Sequence, residues 1–222
     1  MSVSRHYVLA AGGTGGHMLP AYALAAELLS RGHQVALITD DRGTRIPGAP
    51  AEMQVHVLPA GRLGGGPIGW VRAANSIRKG RSQAKALMRD FKPSAVVGFG
   101  GYPSFPGLLA AKSLGIPALL HEQNAVLGRV NRLMAPRVEG IAVAYTDIHR
   151  MPPGCADKVH LVGNPVRDEF VAIRNAPYPP LGEDGILRLL VVGGSLGATV
   201  LADVVPQAVA MLPPALLARL QV

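Results

Sequence analysis

The sequence predicts an α/β protein built on a parallel sheet. Short apolar runs end in glycine clusters and lead straight into helical stretches, at Gly12–Gly16, Gly98–Gly101 and Gly193–Gly197. A strand, a glycine turn, a helix and a second strand follow one another within some thirty residues at the start of the chain, which is a βαβ unit and implies parallel pairing. The same opening returns after a proline-rich break at 174–185.

Each element follows in order. His6–Ala11 is the first strand, and a helix from Met18 to Arg31 is stopped by Gly32. Gln34–Thr39 and Met53–Leu58 read as strands, and a glycine-rich loop spans Gly61 to Gly69. Trp70 to Phe91 reads as a long helix, with Trp70, Ala74, Ile77, Ala84, Leu87, Met88 and Phe91 near helical spacing and Gly80 as a weak point. Ala95–Gly98 is a strand, Phe105–Leu114 a helix, and Ala118–Leu120, Ile141–Ala144 and Val159–Val162 are further strands. Arg174–Gly185 reads as a linker. Leu187–Val192 and a helix from Ala198 to Met211, with Pro206 inside, begin a second unit. One strand and one helix bury too little to make a domain core, so an incomplete second domain is expected.

Composition narrows the class. A hydrophobic content of 49% supports a packed core, whereas 5% aromatic residues argue against a β-sandwich or a base-stacking surface. The single cysteine, Cys155, excludes a disulfide framework. No apolar run reaches the ~20 residues of a spanning helix. The net charge of +8 implies attraction to phosphorylated ligands, an acidic bilayer or nucleic acid.

The glycine turns carry the chemistry. Between a strand and a helix, such a turn brings backbone N–H groups up to an anion, and the helix dipole adds to the attraction. Tight turns also take glycine for steric reasons alone, but three in one chain point to phosphate or diphosphate. The dinucleotide fingerprint begins at Gly13 and Gly15, yet Met18 stands where its third glycine belongs. Asp40 closes the second strand as a ribose-binding acid would, which keeps an NAD-type oxidoreductase as one alternative. A non-catalytic basic module that docks on anionic lipid is another. His17 sits where a helix dipole keeps imidazole neutral, suited either to general-base work or to capping. His121-Glu122-Gln123-Asn124 and Asn164-Pro165-Val166-Arg167 follow strands, where polar side chains emerge at the carboxyl edge of the sheet. No ligand spacing for a metal is present, and neither a metal nor a cofactor is expected.

Five ordered stretches carry a resemblance: Gly12-Gly13-Thr14-Gly15-Gly16-His17, Gly98–Ser104, His121–Asn124, Val162–Arg167 and Gly193–Ala198. In this order they resemble the MurG family of peptidoglycan N-acetylglucosaminyltransferases. The resemblance implies a GT-B arrangement: a Rossmann-like, acceptor- and membrane-side domain over residues 1–164, then a linker and the start of a donor-binding domain over 165–222. It implies inverting transfer of N-acetylglucosamine from UDP-N-acetylglucosamine to lipid I, giving lipid II, by a peripheral protein at the cytoplasmic face of the bacterial inner membrane, with no nucleic-acid partner. Carried over by motif, His17 is the base and Glu122 the alternative; Thr14, Gly15, Gly16, Asn124, Arg167 and Ser195 contact the donor; Gly100, Gly101 and Tyr102 face the acceptor diphosphate. The family's uridine-recognition segments have no counterpart before Val222, so the chain alone is expected to be inactive. A membrane-binding face is expected between Leu63 and Arg89, with Leu63, Ile68, Trp70 and Val71 inserting among basic residues.

Overall fold

The computed structural model describes residues 4–61, 66–178, 180, 182, 185–194 and 198–222, with the backbone alone at 67 and 68. The chain divides into two compact units, Met1–Val171 and Ala172–Val222. That division falls beyond the expected boundary at 164/165.

The first unit is a seven-stranded parallel sheet. Its strands are β1 (His6–Ala11), β2 (Gln34–Thr39), β3 (Gln54–Val57), β4 (Ala95–Gly100), β5 (Ala118–Glu122), β6 (Gly140–Val143) and β7 (Val159–Leu161), in the spatial order β3-β2-β1-β4-β5-β6-β7. The helices are α1 (Gly15–Ser30), α2 (Gly66–Phe91), α3 (Ser104–Leu114), α4 (Arg129–Met134) and α5 (Asp168–Ala172), the last ending one residue past the unit boundary. Parallel strands covered on both faces read as continuous apolar runs, and Val8, Leu9, Ala10 and Ala11 are all fully buried. Their alternation splits them between two cores. Val8 and Ala10 join Met88, Leu108 and Leu120 on the side of α2 and α3, and Leu9 and Ala11 join Met18, Ala21 and Tyr22 on the side of α1.

The long helix departs from its expected outline. It starts at Gly66, inside the stretch read as loop, and it runs unbroken through Gly80. Gly80 is there because the helix crosses the loop after β3 at close range: a Cβ would lie 2.2 Å from the Pro59 carbonyl oxygen. The packed seam is Ala73, Ala84, Met88 and Phe91, with Leu87 partly buried, rather than one containing Ala74 and Trp70, and Trp70 is 58% exposed. Helix α1 also begins early, at Gly15, so the last two glycines of the turn form its first turn.

In the second unit, β8 (Leu187–Arg188) pairs in parallel with β9 (Leu220–Gln221), and α6 (Thr199–Ala210) and α7 (Pro214–Leu217) lie between them in sequence. The expected six-residue strand Leu187–Val192 is therefore two residues long, since a strand exists only where a neighbour pairs with it. Among the described residues no helix is long and apolar enough to cross a membrane.

Candidate functional site

The chain reverses its direction of travel across the sheet between β1 and β4. The helix after β1 packs on one face and the helix after β4 on the other. Their turns lie together at the carboxyl ends of the strands, at the reversal point where an open α/β sheet has its ligand-binding crevice. Here the two turns brace each other. A Cβ on Gly12 would lie 2.2 Å from Pro103 Cγ, and one on Gly101 would lie 2.5 Å from the Gly12 carbonyl oxygen. Gly101 also has φ +77°, a left-handed conformation that favours glycine. The β1–β4 register slips by one residue at this point, pairing Ala11 with Gly100.

His17 stands in the first turn of α1, over this junction. Its Nδ1 lies 3.2 Å from the Gly12 carbonyl oxygen and 3.3 Å from Thr14 Oγ1. A carbonyl only accepts, so Nδ1 carries the proton and Nε2 keeps its lone pair. That lone-pair nitrogen borders Gly100, where a Cβ would lie 3.2 Å from it. Burial lowers the His17 pKa below that of an ordinary histidine, against the Gly12 carbonyl bond and the negative charge of Glu122, which both raise it. The ring is neutral at pH 7, and burial is the leading cause where the sequence pointed to the helix dipole.

Glu122, at the end of β5, is 1% exposed and accepts four N–H groups. Oε1 takes the backbone N–H and the side-chain amide of Asn124, at 3.2 and 3.0 Å, and Oε2 takes those of Gly128 and Asn131, at 2.8 and 3.0 Å. Its lone pairs are committed to holding the loop from Asn124 to Gly128. Asn131 was not legible as a site residue: it lies nine positions from Glu122, inside a short helix, with no motif around it. It also donates to the His121 carbonyl. His121 Nε2 donates to the Gly163 carbonyl at 3.0 Å, its Nδ1 accepts from the Gln123 amide at 3.0 Å, and burial lowers its pKa too.

The remaining expected residues fall into two cavities, each of about 250 Å³. One brings Gly15, Gly16, Asn164 and Arg167 together beside the start of α1. There Arg167 lies over the Phe170 ring at 5.1 Å and pairs with Glu169 at 3.7 Å. The other places Tyr102 with Trp70, Ile77, Phe105, Arg129 and Leu133. Ser195 lies outside the described residues, as does Leu63.

Asp40 does not stand free for a ribose. Its Oδ1 accepts the N–H groups of Gly13 and Gly43, at 3.2 and 3.0 Å, and its Oδ2 takes Arg42 Nε at 2.9 Å. Met18, at the position of the missing third glycine, is fully buried against the sheet. Both facts count against the dinucleotide alternative.

Comparison with known proteins decides the family, because the description of the glycosyltransferase family 28 N-terminal domain matches residues 7–143. The chain belongs to glycosyltransferase family 28. The match runs from β1 through β6, the strands whose carboxyl ends build the crevice. Among curated relatives in this family, a UDP-N-acetylglucosamine–N-acetylmuramyl-(pentapeptide) pyrophosphoryl-undecaprenol N-acetylglucosamine transferase of Sphingopyxis alaskensis is 68% identical over the whole chain. The protein of the same name from Erythrobacter litoralis is 61% identical over 99% of the chain. The chain spans 57% and 55% of these two relatives. The crystal structure of Acinetobacter baumannii MurG superposes with a TM-score of 0.67 at 31% identity, over 94% of this chain and 56% of that one. The parallel sheet and its helices are thus the N-terminal half of a GT-B fold.

Proposed function

We propose that this crevice serves an inverting transfer of N-acetylglucosamine from UDP-N-acetylglucosamine to lipid I, giving lipid II. The observation that carries the reading is His17 Nε2: a lone pair on a half-buried, neutral imidazole, set between two glycine turns. In the reaction, Nε2 removes the proton of the acceptor hydroxyl as its oxygen bonds to the anomeric carbon. The bond from that carbon to the diphosphate breaks, and UDP leaves with the electron pair. General-base assistance of this kind contributes ~10²–10⁴ in rate.

His17 suits the base role better than Glu122, whose two oxygens each already accept two N–H groups. Glu122 instead shapes the loop that presents Asn124. Gly15, Gly16 and Arg167 share a cavity fit for a phosphorylated donor, with Thr14 and Asn124 as further contacts and Ser195 as a sixth. Gly100, Gly101 and Tyr102 face the acceptor diphosphate. Residues 1–164 bind the acceptor and the membrane, and 165–222 open the donor-binding domain. The relatives' name, which couples UDP-N-acetylglucosamine to an N-acetylmuramyl-(pentapeptide) pyrophosphoryl-undecaprenol, supports the assignment.

Membrane attachment is peripheral, at the cytoplasmic face. Exposed Trp70 and Val71 lie on α2 with the exposed cations Arg72, Arg78, Lys79, Arg81 and Arg89, an arrangement that suits an anionic leaflet.

The decisive experiment joins residues 1–222 to the remainder of the Sphingopyxis relative and assays lipid II formation, with that relative as the positive control. The expected result is turnover of UDP-N-acetylglucosamine with a lipid I analogue. A folded chimera that binds the donor but forms no lipid II overturns the assignment.

A further inference from the structure

We propose that Arg42 is a further phosphate-binding residue of the first glycine turn, with Asp40 as the positioning residue that holds it there. The inference deepens the transferase reading and rests on it for the source of the phosphate. The observation behind it is the position of one guanidinium. A Cβ built on Gly13 would meet Arg42 Nη2 at 3.1 Å, Cζ at 3.5 Å and Nη1 at 3.8 Å. The central carbon and both terminal nitrogens of the group thus crowd the space a side chain on Gly13 would take, so the guanidinium lies against the turn rather than extended away from it. Gly13 has φ +85°, so a side chain there would be strained and would also displace the guanidinium.

Asp40 accounts for this placement. One carboxylate oxygen ties the backbone of Gly13 to that of Gly43, and the other receives Arg42 Nε. The turn, the segment after β2 and the arginine are thereby locked together by a single side chain. Only Nε is spent on Asp40 among the described residues, which leaves the Nη1–Nη2 edge of the fork to face a ligand. The Arg42 side chain is 58% exposed, so a ligand can reach it, while the Asp40 side chain is 18% exposed. An ion pair this open to solvent adds little stability; what it supplies is aim. A planar fork held beside a glycine turn can match two oxygens of a diphosphate, the bidentate geometry at which arginine surpasses lysine. The sequence reading stopped at Asp40 and did not register the arginine two residues later. Its partner in space is a glycine 29 positions earlier in the chain, so no local pattern marks it.

Two diphosphates are candidates, that of the nucleotide sugar and that of the polyprenyl acceptor, and the experiment separates them. Inorganic pyrophosphate is first titrated into the 222-residue chain, followed by calorimetry and by the amide signals of Gly13 to Gly16 and the Arg42 Nε–Hε signal. The wild type is expected to bind and to shift these signals. Arg42→Gln should weaken binding about 10- to 100-fold, the usual range for a lost charge-assisted pair. Arg42→Lys should recover little of it, because lysine has no second nitrogen for Asp40 to hold. Asp40→Asn should weaken binding and move the Arg42 Nε–Hε signal. Thermal unfolding of each variant separates lost binding from lost fold.

In the chimera, Arg42→Gln should raise KM for one substrate, and the substrate affected names the source. Wild-type affinity for pyrophosphate in a folded Arg42→Gln variant overturns the inference, as does absence of binding by the wild type. Pyrophosphate binding through Arg42 in a protein whose chimera makes no lipid II would leave the inference standing and remove the transferase reading instead.

Discussion

Two stretches of this chain share a sequence pattern, and the described elements around them are packed differently. Ala10-Ala11-Gly12-Gly13-Thr14-Gly15-Gly16 and Val191-Val192-Gly193-Gly194-Ser195-Leu196-Gly197 each join an apolar run to a helix through glycines. Around the first, Val8 to Ala11 are fully buried, and α1 buries Met18, Pro20, Ala21, Tyr22 and Ala25. Around the second, α6 buries no residue, and Val192 is 69% exposed. The difference is neighbours. The first turn has β2 and β4 on either side, Pro103 against Gly12, and Gly101 against the Gly12 carbonyl. A glycine turn becomes a binding geometry when other elements press on it; the motif alone supplies only permission.

The largest expected effect tests whether the first turn is where chemistry happens. His17→Ala in the chimera should lower kcat by ~10²–10⁴-fold with donor KM little changed. Near wild-type turnover would take the base role away from the β1 turn altogether.

Paired glycine substitutions sharpen the contrast itself. Gly101→Ala meets both a positive φ and a carbonyl oxygen 2.5 Å away, so urea denaturation should show about 2–5 kcal/mol of lost stability from strain and overpacking. A Cβ on Gly194 meets nothing within 4 Å, so Gly194→Ala should stay within about 0.5 kcal/mol of wild type. Equal effects at the two positions would erase the distinction.

Helices α2 and α6 give a third test. Helix α2 carries exposed Trp70 and several exposed cations, whereas α6 has apolar surface and no basic residue. Binding to anionic vesicles should fall about fivefold for each of Arg78 and Arg81 changed to Gln, at about 1 kcal/mol per charge. Changes in α6 should leave it unaltered. Equal sedimentation with neutral and anionic vesicles would remove the electrostatic account.

The smallest effect is on acid stability. Burial lowers the pKa of His17, His56 and His121, all in the first unit, while residues 172–222 contain no histidine. Below the ordinary histidine pKa of about 6.5 the unfolded chain takes up protons that the folded one resists, so stability must fall as the pH drops. Unfolding scans from pH 8 to pH 5 should show the first unit losing stability below about 6.5, and His121→Gln should flatten that slope. A slope that is flat in the wild type would mean these rings protonate freely in the fold.

Much of the first unit was legible because its signals are local. Buried parallel strands announce themselves as apolar runs, and glycines mark the turns after β1 and β4. The errors share one cause. Gly80 looks like a helix breaker until the Pro59 carbonyl is beside it, and Ala74 looks like core until the seam is seen to pass through Ala73. Leu187–Val192 has every mark of a strand but a partner along only two residues.

The residues themselves determined the class of fold, the places where phosphate can approach, and the presence of His17 beside the first turn, since each depends on neighbours a few positions apart. Only the tertiary structure decided what those groups are equipped to do. It set the tautomer of His17 through the Gly12 carbonyl, committed the Glu122 oxygens to Asn124, Gly128 and Asn131, and turned Asp40 from a free acid into the brace of Gly13 and Arg42. The reason is physical: a carboxylate or an imidazole is defined by which of its lone pairs and protons are already engaged. Those partners come from other strands and turns, brought within about 3 Å by the packing of the whole sheet.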